Sequence, residues 1–269
     1  MKNYYQYTIE VSESQKKEIL IALLADAGFE GFEDQPGLLI ATTTISEPED
    51  LVSDILKDFT WSVQLIPEKN WNTEWESNFH PVILEEFCTI RAGFHQISVN
   101  TPYEIIITPK MSFGTGHHAT TWLMMHQMRE IQFSDKTVLD YGTGTGVLAI
   151  LAEKMGASAI TAIDIDDWSI ENSRENIAEN QSGKIQLLKG DITQVIGKFD
   201  VILANINRNV LLQNMNSISE KLLPGGMVLL SGILAGDFSE LIKSMELAGI
   251  EMIEKEEKEG WGIIKGRKL

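Results

Sequence analysis

One segment constrains the fold of this chain more than any other: residues 138–146, with the sequence Val-Leu-Asp-Tyr-Gly-Thr-Gly-Thr-Gly. Apolar residues typical of a buried strand lead to Asp140, and Gly142, Gly144 and Gly146 follow before an apolar helical stretch. Glycines in this position let the backbone turn sharply and approach a ligand closely, because no side chain stands in the way. We therefore expect Asp140 and the three glycines to belong to a binding site. The alternative is a tight strand-to-helix turn that binds nothing.

The spacing of these glycines narrows the class of ligand. The pattern Gly-x-Gly-x-Gly differs from the Gly-x-Gly-x-x-Gly of dinucleotide-binding folds, in which the helix terminus accommodates a pyrophosphate. A nucleoside without phosphates is therefore the expected ligand.

Strands and helices alternate from residue 138 onward. Candidate strands lie at residues 138–140, 159–164, 185–188, 200–204 and 227–231, and helices start near Gly146, Trp168, Val210 and Asp237. Nearly continuous apolar strands between amphipathic helices indicate a parallel sheet that is covered on both faces. Residues 250–254 and 261–265 add an antiparallel hairpin. The pattern predicts an α/β fold with a doubly wound sheet and a C-terminal hairpin.

The first 66 residues show a different order of elements, β-α-β-β-α-β, which predicts a small ferredoxin-like α+β domain. Ser12 with Gln15, and Ser46 with Glu49, are predicted to form capping boxes, and Gly28 is a suitable left-handed stop for the first helix. We expect this domain at residues 1–66, a linker region at 67–100 and the α/β domain at 101–269.

Several polar residues end predicted strands, where open α/β sheets bind their ligands. Asp164 is placed to accept both hydroxyls of a ribose. Asp191 either meets an adenine edge or caps the following turn. Asn205 either orients an attacking amine through its amide oxygen or forms a turn. Asp166 and Asp167 are interpreted as a helix start.

The segment 113–121 precedes the parallel sheet and contains two glycines, His117, His118 and paired threonines. We interpret it as a loop and helix that cover a ligand. The adjacent histidines cannot both face one metal ion on a regular element, and Cys88 has no neighbours at ligand spacing. No metal site is expected.

Charge and composition limit the partners. The chain has 22 Lys and Arg against 39 Asp and Glu, a formal charge of −17, so nucleic acid is disfavoured and a small cofactor or a basic protein is favoured. No apolar run approaches the roughly 18 residues of a membrane span, and the first residues do not resemble a signal peptide. The single cysteine excludes an intramolecular disulfide framework, so we expect a cytoplasmic protein. We also expect it to be a monomer without membrane contact.

The chain resembles the bacterial ribosomal protein L11 methyltransferases, the PrmA family, over essentially its whole length. Three signatures carry the resemblance: Asn70 and Trp71 with Trp75, Phe79 and Pro81; Pro109 with Phe-Gly-Thr-Gly-His at 113–117 and Thr120–Thr121; and residues 138–148 with Asn205 and Ile206. The resemblance implies an amino-terminal substrate-recognition domain and a class I methyltransferase domain that uses S-adenosylmethionine to methylate amino groups of L11.

Carried over position by position, the resemblance places cofactor contacts on Thr121, Gly142, Asp164 and Asn205. The implied chemistry is in-line displacement by a neutral amine, with Asn205 as the catalytic candidate that aligns it. Two alternatives remain: a class I methyltransferase acting on RNA or on another translation protein, and a binding module without activity. The intact glycines and ribose acid weigh against the second.

Overall fold

The computed structural model describes residues 4–44, 50–66, 79–110 and 114–269. The chain divides into two compact units, Met1–Asn78 and Phe79–Leu269.

The first unit has the element order that the sequence predicts. Its elements are β1 (Tyr4–Glu10), α1 (Ser14–Asp26), β2 (Gly31–Gln35), β3 (Leu38–Thr43), α2 (Asp50–Leu56) and β4 (Trp61–Ile66). The strands form one sheet in the order β2-β3-β1-β4, and all neighbours are antiparallel. Tyr7, Ile9, Leu20 and Leu24 are buried in its core. The assignment of this unit to the ferredoxin-like fold stays a prediction.

The ends of α1 test the predicted capping. The helix begins at Ser14 with Glu13 as its N-cap and has no side-chain cap hydrogen bond, so the predicted Ser12 capping box is wrong. Ser12 lies one position too early to reach the free amides of the first turn. The predicted stop is confirmed, because Gly28 has a φ of 90° directly after the C-cap. The second predicted box, at residues 46–49, lies outside the described residues.

The second unit is built on a seven-stranded sheet in the order β10-β9-β8-β11-β12-β14-β13. Its strands are β8 (Thr137–Tyr141), β9 (Ala159–Asp164), β10 (Ile185–Lys189), β11 (Phe199–Asn205), β12 (Leu222–Leu234), β13 (Ile250–Lys258) and β14 (Trp261–Lys268). The first five strands pair in parallel, whereas β14 pairs antiparallel with both β12 and β13. The predicted doubly wound sheet and C-terminal hairpin are confirmed.

Helices cover both faces of this sheet. They are α3 (Ala119–Met128), α4 (Val147–Lys154), α5 (Asp167–Glu179), α6 (Arg208–Lys221) and α7 (Phe238–Leu247), with 3₁₀ turns at Ile192–Gln194 and Ala235–Asp237. Successive strand residues point to opposite faces. Val138 and Leu203 accordingly enter one core, while Leu139 and Ile202 enter the other.

A small sheet precedes α3 in the second unit. It contains β5 (Val82–Leu84), β6 (Cys88–Ala92) and β7 (Tyr103–Ile107), with β5 antiparallel and β7 parallel to β6. Residues 79–100, which the sequence analysis assigned to a linker, lie in this unit because Leu84, Cys88 and Ile90 are buried in its core. The rest of the assigned linker, residues 67–78, lies outside the described residues.

Neither a membrane-spanning helix nor a metal site occurs in the part of the chain that the structure describes. No helix within the described ranges is long and apolar enough to cross a membrane. No group of three or more His, Cys, Asp or Glu side chains in the same ranges is arranged to hold a metal ion.

Candidate cofactor and acceptor site

A cavity of about 460 Å³ lies where β8, β9 and β11 end. This is the edge at which open α/β sheets bind ligands, and the volume falls in the usual range for small-molecule sites. Five residues predicted from the sequence line it: Thr121, Gly142, Gly144, Asp164 and Asn205. The other three predicted residues, Asp140, Gly146 and Asp191, do not line this cavity.

The glycine loop, residues 142–146, lines the cavity with Gly142, Thr143 and Gly144. Gly142, Gly144 and Gly146 have φ values of 75°, 56° and 82°, in the left-handed region that other residues rarely adopt. A Cβ atom on Gly142 would lie 2.2 Å from Cγ2 of Ile206. The backbone therefore passes close to the opposite wall, as the sequence analysis anticipated.

Asp140 supports the glycine loop from inside the protein. Its Oδ2 accepts hydrogen bonds from the Thr143 hydroxyl at 2.7 Å and from the Ala149 amide at 3.2 Å. The side chain is fully buried, and its Oδ1 has no hydrogen-bond partner among the described residues. Burial raises the pKa of Asp140 to about 7, although the hydrogen bonds from Thr143 and Ala149 oppose the shift.

Asp164 ends β9 and faces the glycine loop. Its Oδ2 accepts the Gly144 amide at 2.9 Å, and its Oδ1 accepts the Asp166 amide at 3.0 Å. Since an ionised carboxylate has about four acceptor sites, each oxygen retains capacity for a further donor. Asp164 can thus hold the loop and still accept two hydroxyl groups. Asp166 caps α5, which confirms its assignment as a helix start.

Asp191 sits in a different local structure. Its side chain accepts hydrogen bonds from the Thr193 amide and hydroxyl in a capping box closed by Gln194. These hydrogen bonds from Thr193 lower the pKa of Asp191. The residue lines a separate shallow depression with Lys189 and Gly190. The capping alternative describes its observed contacts, and a contact with adenine stays a prediction.

Asn205 ends β11 and presents an amide to the cavity. Its Nδ2 donates to the hydroxyl of Thr121 at 3.4 Å, and Thr121 is itself fully buried in α3. The Oδ1 of Asn205 is buried and has no hydrogen-bond partner among the described residues. A buried acceptor without a partner is costly, so a donor supplied by a ligand would satisfy it.

The sequence analysis did not identify every lining residue. His118 caps α3 through Nδ1, which accepts the Thr120 amide at 3.3 Å, and its ring contacts Trp261 edge to face at a centroid distance of 4.6 Å. His118 belongs to the segment 113–121 that the sequence analysis predicts to cover a ligand, but the sequence assigns it no role of its own. Nothing in the sequence pointed to Trp261, because only the pairing of β14 with β12 brings it to the cavity.

The cavity suits S-adenosylmethionine. Its described lining residues include the carboxylate of Asp164 and no lysine or arginine, which favours a cationic ligand over a polyphosphate. Val147, Leu148, Ile165 and Ile206 supply apolar walls for a flat ring. The glycine loop leaves space that any side chain on Gly142 would fill.

The raised pKa of Asp140 predicts a pH dependence of stability. The folded state binds a proton on Asp140 more tightly than the unfolded state, in which the carboxyl has a pKa near 4. The folded protein therefore becomes less stable as pH rises from about 4 to about 7. Asp140→Asn removes the titration. Urea unfolding should show the variant gaining stability relative to wild type across that interval and no further gain above it. A difference independent of pH would contradict the assignment.

Comparisons with known proteins agree with this site. The family model for ribosomal protein L11 methyltransferase (PrmA) matches residues 7–269. A ribosomal protein L11 methyltransferase of Porphyromonas gingivalis is 42% identical over 92% of this chain and 89% of its own length. The corresponding protein of Chlorobaculum parvum is 37% identical, over 95% of this chain and 94% of its own.

A solved structure is similar to this chain in fold as well as in sequence. The crystal structure of a ribosomal protein L11 methylase from Lactobacillus delbrueckii subsp. bulgaricus is similar with a TM-score of 0.66 and 30% identity, covering 71% of this chain and all of that one. The predicted fold of S-adenosylmethionine-dependent class I methyltransferases is confirmed. From the sequence signatures, the cavity and these relatives together, the chain belongs to the ribosomal protein L11 methyltransferase family, PrmA.

Proposed function

We propose that this chain transfers methyl groups from S-adenosylmethionine to amino groups of ribosomal protein L11, on lysine side chains, the α-amino group or both. The observation that carries the proposal is the buried, unpartnered Oδ1 of Asn205, judged among the described residues, in a cavity lined by the glycine loop. The protein substrate is inferred from the relatives, which are named ribosomal protein L11 methyltransferases. When bound, S-adenosylmethionine supplies a methyl group on a positively charged sulfur.

The residues that would hold this cofactor act on its separate parts. Asp164 has acceptor capacity for the ribose hydroxyls, and the glycine loop allows close approach of the backbone. Apolar lining side chains such as Ile165 and Val147 would contact the flat base. None of the described lining residues carries a cationic side chain that would repel the sulfonium.

The acceptor must reach the site as a neutral amine. A lysine amine has a pKa of about 10.4 in water, and transfer into an enclosed site disfavours its charged form. Asn205 Oδ1 can then accept one N–H of the amine and direct the nitrogen lone pair. Such alignment of reacting atoms contributes a large part of the acceleration in bimolecular reactions. Because Asn205 is uncharged, it stabilises the protonated amine less than a carboxylate at the same position would.

The amino-terminal domain is the proposed substrate-recognition domain. Residues 1–66 contain 4 Lys, no Arg and 12 Asp or Glu, so acidic side chains outnumber basic ones threefold in this domain. An acidic domain favours association with a basic protein surface and disfavours RNA. This charge supports L11 over the alternative of an RNA substrate.

Methyl transfer from labelled S-adenosylmethionine to isolated L11 tests the function. The full chain should label L11 on amino groups, as mass spectrometry of the product would show, and should leave ribosomal RNA unlabelled. The fragment 79–269 should bind the cofactor with unchanged affinity but label L11 poorly. Equal labelling by the fragment would contradict the recognition role, and labelled RNA with unlabelled L11 would contradict the proposed substrate.

Asn205→Ala tests the acceptor alignment. We expect the rate of single-turnover methylation, at saturating cofactor and L11, to fall by on the order of 10²-fold, the scale of a misplaced reacting group. Asn205→Asp keeps an acceptor oxygen but adds a charge, so it separates alignment from electrostatics. A folded Ala variant with the wild-type rate would leave Asn205 as a turn residue.

A further inference from the structure

Helix α5 carries a row of buried amides that the site description above does not use. Asn172 and Asn176 lie within the helix and Asn180 is its C-cap; the four-residue spacing places the three side chains on one side of α5. Asn172 and Asn176 are fully buried. Asparagine is a poor helix former because its side chain competes for backbone hydrogen bonds. A buried row of this kind, here called the asparagine row, requires partners.

The first set of partners is the backbone of β7 and its extension. Asn180 accepts the Ile106 amide at 2.9 Å and donates to the Ile106 carbonyl at 2.6 Å. Asn176 accepts the Thr108 amide at 2.8 Å, and Asn172 donates to the Thr108 carbonyl at 3.2 Å. The row thus satisfies the outer edge of the small sheet, as a neighbouring strand would.

The second set of partners belongs to the glycine loop. Asn176 Nδ2 donates to the Thr145 carbonyl at 2.8 Å, and the hydroxyl of Ser173, also fully buried, donates to the Gly144 carbonyl at 2.6 Å. Thr145 in turn donates its hydroxyl to the Gly114 carbonyl at 2.7 Å. Asn176 is therefore the member of the row that holds both β7 and the loop.

The loop needs such anchors because its glycines alone do not hold one conformation. Glycine moves freely among backbone conformations, including the left-handed ones found here. The Gly144 amide donates to Asp164, and the Gly144 carbonyl accepts from Ser173, so these two side chains hold opposite sides of the residue. Loss of a carbonyl anchor would let the peptide units rotate away from the conformation that receives the cofactor.

We propose that Ser173 and Asn176 are positioning residues that hold the glycine loop in its cofactor-binding conformation. The inference rests on the proposed use of this loop as the S-adenosylmethionine site. It predicts that cofactor affinity depends on two side chains that do not need to touch the cofactor. It also predicts that Asn180, which holds β7 but not the loop, has no such effect.

Three variants of the full chain separate these roles: Ser173→Ala, Asn176→Ala and the matched control Asn180→Ala. Calorimetry should show the dissociation constant for S-adenosylmethionine rising about three- to tenfold in Ser173→Ala, the scale of one hydrogen bond, and at least as much in Asn176→Ala. Asn180→Ala should lower the melting temperature and leave the affinity unchanged. At saturating cofactor, kcat of Ser173→Ala should return to the wild-type value.

Amide hydrogen exchange gives a readout that needs no cofactor. Residues 143–146 should exchange faster in Ser173→Ala and at the wild-type rate in Asn180→Ala. Unchanged affinity and unchanged exchange in Ser173→Ala would overturn the inference, as would an equal loss of affinity in Asn180→Ala. If Asn176→Ala fails to fold, Ser173→Ala decides. Wild-type protein that did not bind S-adenosylmethionine would contradict the proposed function, and the exchange rates would still decide this inference.

Discussion

The site depends on how the turn after β8 is held. Glycines at 142, 144 and 146 give the turn its shape but not its rigidity. Hydrogen bonds from separate elements supply that rigidity: Asp140 from β8, Asp164 from β9, and Ser173 and Asn176 from α5. Because β8 lies between β9 and β11, the turn after β8 lies beside the ends of both neighbouring strands, and all three strand ends border one cavity.

The charge distribution in the cavity fits the proposed methyl transfer to an amine. The cofactor is cationic and the acceptor must be neutral, so the site needs a carboxylate for the nucleoside and an uncharged acceptor for the amine. Asp164 and Asn205 would meet these needs at the ends of β9 and β11, the strands on either side of β8. The carboxyl of Asp140, beneath the loop, is fully buried, and this burial raises its pKa.

Residues governed by local pattern were predictable from the sequence, and residues governed by long-range packing were not. The strand ends placed Asp164 and Asn205 correctly at the cavity, because parallel strands bring their carboxyl ends to one edge. Asp140 was expected in the binding site, but it is fully buried and supports the glycine loop from inside the protein. The sequence pattern could not show this, because burial depends on tertiary packing. Asp191 sits in a capping box, and sequence alone could not separate that from a ligand contact. Trp261 reaches the site only through the β12–β14 pairing.

Calorimetric titration of S-adenosylmethionine into Gly142→Ala tests the central claim most directly. A Cβ at this position would lie 2.2 Å from Ile206 and strain a backbone with a φ of 75°, so affinity should fall by at least about tenfold, a change of roughly 1.4 kcal/mol. Gly225→Ala is the matched control, because its φ is 77° and nothing lies within 4 Å of the added Cβ. It should bind like wild type. A folded Gly142→Ala variant with wild-type affinity would show that the glycine loop is not the cofactor site.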